Sequence, residues 1–345
     1  MEQQRPGKLS LRAMEAFIAV VEEQSISLAA RRLGISISAV SLQLSNLESV
    51  LDCRLVERTA QRFAVTEAGR LFQQRALRII DEIDGARTDL ITQSGSPHFD
   101  LRLAVVEDFD THVMPRWLAA LGRAFPNSRF VVKSGPSHEN FSILSSRAAD
   151  MIVAADAMEP VDWIEEHPLM RDPCVLVTGP DIAGSGDSGS SISVSGGSGA
   201  PSLETLMSYP FVRYARDQHL ARQIEAQLRR VKSVPPRGHE FSSNHAVFAM
   251  VAETGGWAIS TVSAIRGTLP SLESARAPLS VHKLPFPAFS RTISLYARKD
   301  ILSAVPEMAA IELRTCLKDI FSARSTGFDL PARPQVFDGN AFKEI

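Results

Sequence analysis

The 345-residue chain has only three cysteines, Cys53, Cys174 and Cys316. They are odd in number, far apart and form no CxxC pair, which argues against a disulfide framework and against a zinc site. A reducing cytoplasm is the simplest compartment for such a chain. Long apolar runs are missing too. None approaches the roughly 18–20 residues that a membrane span needs. The opening MEQQRPGK lacks the apolar core of a secretory signal, so no membrane partner is expected. There is no excess of one charge: the formal net charge is −2 at pH 7. Residues 1–78 hold eleven Lys/Arg against eight Asp/Glu, a weak basic lean that leaves any nucleic-acid reading to pattern. Catalytic signatures are lacking. The chain contains no GxxxxGK(S/T), no GxSxG and no HExxH, and its eight histidines show no metal-ligand spacing. Gly184, Gly186 and Gly189 form a GxGxxG, but SSISVSGGSG follows where a nucleotide site would need a helix. No cofactor, metal or enzymatic activity is expected.

What is present is the composition of a globular chain, 44% hydrophobic and 22% charged, long enough for two or three domains. Residues 9–65 read as three short helices and a hairpin. Ser10 suits the N-cap of a first helix whose Met14, Phe17, Val20 and Val21 recur at helical spacing. Ser27 suits a second cap, ahead of Leu28, Ala29, Ala30 and Leu33, and Gly34 suits the left-handed turn that closes that helix. Ser36 then caps a third, with Val40, Leu44 and Leu47 along one face. Arg54 to Val65 fits two short strands with a tip near Thr59–Arg62. Thr66 is the next cap, with Glu67 in the positive first turn. The helix beyond it carries a heptad stripe, with Phe72, Ile79 and Ala86 on one seam position and Ala76, Ile83 and Leu90 on the other. The pattern favours pairing of two chains through this seam, and burial against the helix's own domain is the alternative.

After a hinge at 93–99, apolar strand-like runs alternate with helical stretches. The strands are expected at 101–106, 130–133, 150–154, 174–177, 211–214, 257–261 and 293–297. The helices are expected at 113–125, 139–149, 218–230, 245–253 and 305–321. Such alternation implies an α/β domain with largely parallel sheets, whose ligands sit at the carboxyl ends of strands. Asp181 to Ala200 is too rich in Gly and Ser to order itself and reads as a loop. Residues 322–345 have no clear period and read as a tail.

The third helix suits a DNA groove. With Val40, Leu44 and Leu47 turned inward, Ser38, Ser41, Leu42 and Ser45 point outward. The major groove, which admits a helix, is where base pairs are told apart. The serine hydroxyls can bond a base edge or a phosphate, Leu42 can touch a thymine methyl, and Gln43 lies to one side within reach of a phosphate or an adenine. No arginine stands on this face, so bidentate guanine reading is not expected. Arg31, Arg32, Arg54, Arg58 and Arg62 flank it as candidates for phosphate contacts, which give affinity but little specificity. The alternatives are local: Ser36 as a cap, Arg58 bracing the fold against an acid, and Arg31–Arg32 as a solvated face.

The segment SISLAARRLGISISAVSLQLSNLESVLDCRLVERTAQRFAVTEAG resembles the N-terminal domain of the LysR-type transcriptional regulators. The residues that carry the likeness are Ser25, Ala29–Ala30, Leu33, Ser36, Ala39–Val40–Ser41, Gln43, Leu47–Glu48, Leu55, Glu57–Arg58 and Thr66–Glu67–Ala68–Gly69. Ile37–Ser38 stands where the family usually has Gln-Pro, and Asp52 and Val56 where it has Gly and Phe. Further on, MPRWLAAL, the FP at 125–126, Asp150 and DPCVLVTGPD resemble its effector domain. The resemblance implies an α/β protein with an N-terminal all-α winged helix-turn-helix. The parts are a DNA-binding domain at 1–65, a linker and dimerisation helix at 66–92, a hinge at 93–99 and a two-lobed periplasmic-binding-protein-like effector domain at 100–321. Lobe I would take about 100–178 and 286–321 and lobe II about 179–285, with crossings near Thr178–Pro180 and Pro285–Phe289; 322–345 would be the tail.

By the same resemblance the chain is a cytoplasmic, sequence-specific regulator of transcription. Its partners would be double-stranded promoter DNA, itself as homodimer and then homotetramer, RNA polymerase, and a small-molecule effector held between the lobes. The competing reading is a two-lobed solute binder or enzyme whose N-terminal helices only dimerise it. For the effector, Glu107, Asp108, Phe109, Asp110 and Thr111 follow the first strand as an acidic loop able to attract an amine. Arg213, Arg216 and His219 could hold a carboxylate. Together they suggest an amino-acid-like zwitterion, unless these acids and arginines neutralise one another. Ser134, Ser137, Asn244 and Thr261 fall near strand ends or helix starts and would line the cleft or cap helices.

Overall fold

In the computed structural model Ser10 opens the first helix, its hydroxyl accepting the Ala13 amide at 3.2 Å. The structure describes residues 9–59, 62–93, 100–126, 128–155, 162–183, 192–194, 200–235, 238–274, 279–299, 304–322, 331–339 and 341–344. Helix α1 is Leu11–Glu23 and α2 is Ile26–Leu33. The cap of α2 is Ser25, not Ser27. Ser25 has the extended backbone an N-cap requires and accepts the Leu28 amide, so Ser27 falls inside the first turn and Leu28 faces outward, 49% exposed. Gly34, at φ +67°, closes α2. Ser36 caps α3, Ile37–Leu51, by accepting the Ala39 amide at 3.1 Å. Val40, Leu44 and Leu47 are buried beneath α3 against Phe17 and its neighbours.

Asp52, at φ +50°, ends α3 and leads to β1, Val56–Thr59, which pairs antiparallel with β2, Arg62–Val65. Thr66 then donates to the Arg54 carbonyl at 2.7 Å and accepts the Gly69 amide at 2.9 Å. This starts α4, Glu67–Gln93, directly against the wing. A Cβ on Gly69 would lie 2.1 Å from the Leu55 carbonyl oxygen, so only glycine permits that approach.

The chain divides into two compact units, residues 1–93 and 94–345. The second unit begins with β3, Asp100–Val106, α5, Met114–Ala124, β4, Arg129–Gly135, α6, Ser137–Ser145, β5, Met151–Ala155, and β6, Ile164–Thr178. It continues with α7, Pro180–Ala183, β7, Ile192–Val194, α8, Leu203–Leu206, β8, Arg213–Tyr214, α9, His219–Arg230, β9, Glu240–Phe241, and α10, Asn244–Thr254. The remainder is β10, Trp257–Thr261, α11, Val262–Ser274, β11, Leu279–His282, β12, Ser290–Arg298, α12, Val305–Phe321, β13, Gln335–Asp338, and β14, Ala341–Glu344.

The fifteen-residue strand β6 belongs to two lobes. Its Ile164–Pro173 part pairs with β12 in a lobe ordered β4-β3-β5-β12-β6-β13-β14. Its Cys174–Thr178 part pairs with β10, and Leu176–Thr178 also with β11, in the other lobe. The first crossing therefore lies at Pro173–Cys174 rather than near Thr178–Pro180, and the chain returns between His282 and Ser290. The expectation of largely parallel sheets also needs correction. β3 is parallel to β4 and β5, but β6 is antiparallel to every strand it meets. The charged, proline-containing Ile164–Pro173 run hid this strand. Its Pro168 is tolerated beside a register shift opposite Ile293–Ser294.

Two further expectations are corrected. Part of 322–345 is no tail: β13 and β14 form a hairpin, closed at Gly339 with φ +71°, that extends the first lobe's sheet through β6. Alternating Val336 and Phe337, with Phe342 stacked under Arg171, supply its packing. Within 181–200, Ile192–Val194 is a strand parallel to β11; residues 184–191 and 195–199, with Gly184, Gly186 and Gly189, lie outside the described residues, as do 94–99 of the expected hinge. Among the described residues no helix is long and apolar enough to cross a membrane.

Candidate nucleic-acid interface and ligand cleft

Helix α3 presents a polar and partly apolar face to solvent. Ser38 and Ser45 are exposed and Ser41 and Gln43 are half-exposed, while Leu42 is 61% and Ile37 56% exposed. Ser36 also meets Ser38 at 2.9 Å, hydroxyl to hydroxyl. Glu48 turns inward at the other end. Its buried carboxylate accepts the Leu55 and Val56 amides, which pins the first strand of the wing to the helix. The flanking arginines differ. Arg31 is exposed with no ion pair among the described residues. Arg32 is braced by Glu22 at 2.6 Å and Glu23 at 3.3 Å. Arg54 is 82% exposed, with one nitrogen 3.2 Å from Glu48. Arg58 and Arg62 stand on β1 and β2, paired in register with Phe63 and Thr59, and their side chains lie outside the described residues.

The α4 stripe divides. Ala76 is fully buried, and Phe72 packs on Phe17 with ring centroids 5.5 Å apart, so these two belong to the core of their own unit rather than to a free seam. The apolar floor of α1 reaches them because α4 starts against the wing. Ile79 is exposed, Ile83 half-buried and Ala86 exposed, whereas the Leu90 side chain lies outside the described residues.

In the second unit a small cleft, open to solvent, lies between the lobes. One wall is Val106–Asp108 after β3, Gly135–His138 leading into α6, and Ala155; the other is Tyr214, the start of α9 at Gln218–Leu220, and Asn244 at the start of α10. A buried polar network forms its floor. Arg291, at the start of β12, donates to Asp108, to Asp172 at 2.9 Å and to Thr261 at 3.1 Å. Asn244 donates to the second oxygen of Asp108 and accepts from the Tyr214 hydroxyl at 2.7 Å, which also meets Ser260. Asp108 and Asn244 thus join the lobes. Burial alone pulls the Arg291 guanidinium down, but Asp108 and Asp172 outweigh it and hold it above its ordinary value. The Glu107 carboxyl makes no such hydrogen bond: burial first, then Asp108, push its pKa up to about 7 against the opposing charge of Arg291.

Of the residues expected to read an effector, Ser137 and Asn244 line the cleft, as does Asp108, although both its oxygens are taken. The others are placed elsewhere. Phe109 is fully buried in the core beneath the 107–109 turn. Thr111 donates to the Gly267 carbonyl and Ser134 to Asp110, both on the exposed side. Thr261 lies under the floor as an acceptor for Arg291 and the Ala264 amide. Arg213 pairs with Glu225 and lies over Phe211, and Arg216 pairs with Glu240, so neither reaches the cleft; neutralisation by nearby acids took both. Of that basic group only His219 lines the cleft. Arg291, Asp172, Tyr214, His138 and Gln218 were missed. An arginine near the start of the mostly buried strand SRTISLYAR was the available signal for the first. Among the described residues no group of three His, Cys, Asp or Glu could hold a metal ion.

A winged helix-turn-helix followed by a two-lobed α/β unit around a cleft defines a chain with one module of the nucleic-acid-binding kind and one of the ligand-binding kind. Residues 94–307 match the family described as LysR substrate binding domain, and residues 11–70 match the bacterial regulatory helix-turn-helix protein, lysR family. The chain belongs to the LysR family of HTH-type regulators. Similar curated proteins are the uncharacterized regulator YfeR of Shigella flexneri, 27% identical over 174 residues (50% of this chain, 56% of that one), and PtxR of Pseudomonas aeruginosa, 34% identical over 150 residues (44% and 47%). The chain spans about half the length of these relatives. Among solved structures, a full-length OxyR variant of Pseudomonas aeruginosa has a TM-score of 0.66 at 18% identity, covering 90% of this chain and 95% of its own. CbnR complexed with its target DNA has 0.55 at 17%, covering 89% and 100%. At these identities the likeness shows the fold.

Proposed function

We propose that the chain is an effector-responsive regulator of transcription that works on promoter DNA in the cytoplasm. The observation that carries this reading is α3: an exposed helix face of Ser38, Ser41, Leu42 and Ser45, rigidly backed by fully buried Val40 and Leu44. Such a face enters a major groove, where small hydroxyls allow close approach to base edges. Ser36 and Gln43 border it. Arg31, Arg54, Arg58 and Arg62 supply phosphate contacts, and Arg32 contributes less because Glu22 and Glu23 already hold it. Family membership, and the description of the related CbnR as complexed with target DNA, support the same reading.

Two chains pair through the later part of α4, at Ile79, Ile83, Ala86 and Leu90, which sets two copies of α3 on a dyad-related site. Two such dimers join into a tetramer through the effector units, and the bound assembly engages RNA polymerase. A small molecule in the cleft between the lobes, contacting Ser137, Asn244, His219 and Glu107, favours one arrangement of the lobes over the other and so alters the grip on DNA. A mobility-shift assay with DNA upstream of the neighbouring, divergently read gene tests the reading. Retardation that disappears when Ser41→Ala and Arg58→Ala are combined is the expected result. Absence of retardation at low salt overturns it.

A further inference from the structure

Around the cleft floor stand three carboxyl groups and one guanidinium. Arg291 is buried and donates to Asp108, Asp172 and Thr261. Asp108 is used on both oxygens, by Arg291 and by Asn244. The third carboxyl, Glu107, is half-buried in the cleft wall and makes no hydrogen bond or ion pair among the described residues. A carboxylate deprived of water beside a second one is unfavourable unless a cation joins it. The upward displacement of its pKa expresses the same deficit.

This wall suits a metal ion poorly. Calcium takes roughly six to eight oxygen ligands and magnesium close to an octahedron, whereas among the described residues Glu107 is the one carboxyl left free in this wall. An ammonium group needs only a good acceptor and room. The cleft is open to solvent, so an ammonium group can reach the Glu107 carboxylate.

In the same wall as Glu107 α6 begins without a side-chain cap, and across the cleft so does α9. Pro136 has no side chain able to cap, and the Gln218 amide donates instead to the Ser242 carbonyl at 2.6 Å. The neighbouring α10 is capped by Ser243. Uncapped first-turn amides favour an anionic group. The cleft therefore holds an unpaired carboxyl group in one wall and, beside it and opposite it, amides suited to an anion.

We propose that the effector is a small zwitterion of the amino-acid type, its ammonium received by Glu107 and its carboxylate by the starts of α6 and α9. This rests on the cleft being the effector site. It replaces Arg213 and Arg216 as the carboxylate's partners.

The test is calorimetric titration of the full-length chain with the twenty common L-amino acids, each binder being repeated as its deaminated acid and its decarboxylated amine. At least one amino acid binds, each truncated analogue binds about tenfold more weakly or worse, and Glu107→Gln weakens the amino acid by a similar factor. The proposal is overturned if no amino acid binds, if the deaminated acid binds as well, or if folded Glu107→Gln binds unchanged. The analogue series needs no variant, so it decides the matter even if Glu107→Gln fails to fold. His138→Trp, which fills the cleft, separates the two readings. An acid lacking an amine whose binding it abolishes leaves the cleft reading standing and removes the zwitterion. Amino-acid binding that survives His138→Trp removes both.

Discussion

Glu48, near the end of α3, accepts the backbone amide of Leu55 at 2.8 Å and that of Val56 at 3.2 Å. The carboxylate is 7% exposed, and Leu55 and Val56 are buried with it. One side chain therefore satisfies two amides at the point where the chain turns into the wing. Glu48→Ala leaves both unpaired in the interior, which costs about 2–3 kcal/mol in the N-terminal unit. Glu48→Gln costs less, because its amide oxygen still accepts. Urea unfolding followed by helical circular dichroism gives the order wild type, Gln, Ala. A loss under about 0.5 kcal/mol for Ala means that water replaces the carboxylate without penalty.

The exposed apolar residues of α3 bear on base preference. Ile37 and Leu42 stand in water on the face assigned to the groove, and no arginine accompanies them. The one feature of a major-groove edge that rewards an apolar contact is the thymine methyl. Selection from random duplexes is expected to enrich thymine at the positions these two residues cover. Replacing those thymines by uracil should weaken binding several-fold for the wild type and less for Leu42→Ala. Equal binding to thymine and uracil sites would show that the methyl is not read.

Helix α4 makes a prediction about two residues seven apart. Phe72 lies against Phe17, so Phe72→Ala opens a cavity in its own unit and lowers unfolding stability by roughly 2–4 kcal/mol. Ile79 is 42% exposed, so Ile79→Asp should leave stability of the unit nearly unchanged while abolishing pairing of chains. Sedimentation velocity and thermal unfolding read the two effects apart. A dimer that persists in Ile79→Asp places the pairing surface elsewhere.

What the sequence made legible follows from how local each signal is. The three N-terminal helices, the wing and the caps at Ser10, Ser36 and Thr66 rest on spacing within a turn or two, and they are found there. Ser25 against Ser27 is a matter of which backbone is extended, which side-chain chemistry does not distinguish. Phe72 and Ile79 share a heptad position, yet one is claimed by a ring on α1, a contact no periodicity reveals. The cleft was the least legible part. Arg291 meets Asp108 across 183 positions of sequence and Asp172 across 119, and that pairing decides which acids remain free. Arg213 and Arg216 looked free because Glu225 and Glu240, their partners, are distant in sequence or on another strand.

His112 sets the acid limit of the effector unit. Its ring packs edge-on between Phe109 and Phe321, with centroids 6.5 and 5.9 Å away, and among the described residues neither nitrogen finds a hydrogen-bond partner. Burial first, then Arg266, lower its pKa from 6.5 to about 4, with Arg116 adding to this and Asp108 opposing it. Between those values the unfolded chain binds a proton that the folded chain refuses. The contribution of a neutral His112 is therefore complete above pH 6.5 and is lost as pH falls through about 4. The whole effect is at most about 3 kcal/mol. His112→Phe keeps an apolar ring between Phe109 and Phe321 and has nothing to titrate. Urea unfolding at intervals from pH 7 to pH 4 should show wild-type stability falling more steeply than that of His112→Phe, by a slope approaching one proton. Parallel profiles for the two proteins would mean that the ring is protonated, or hydrated, within the fold.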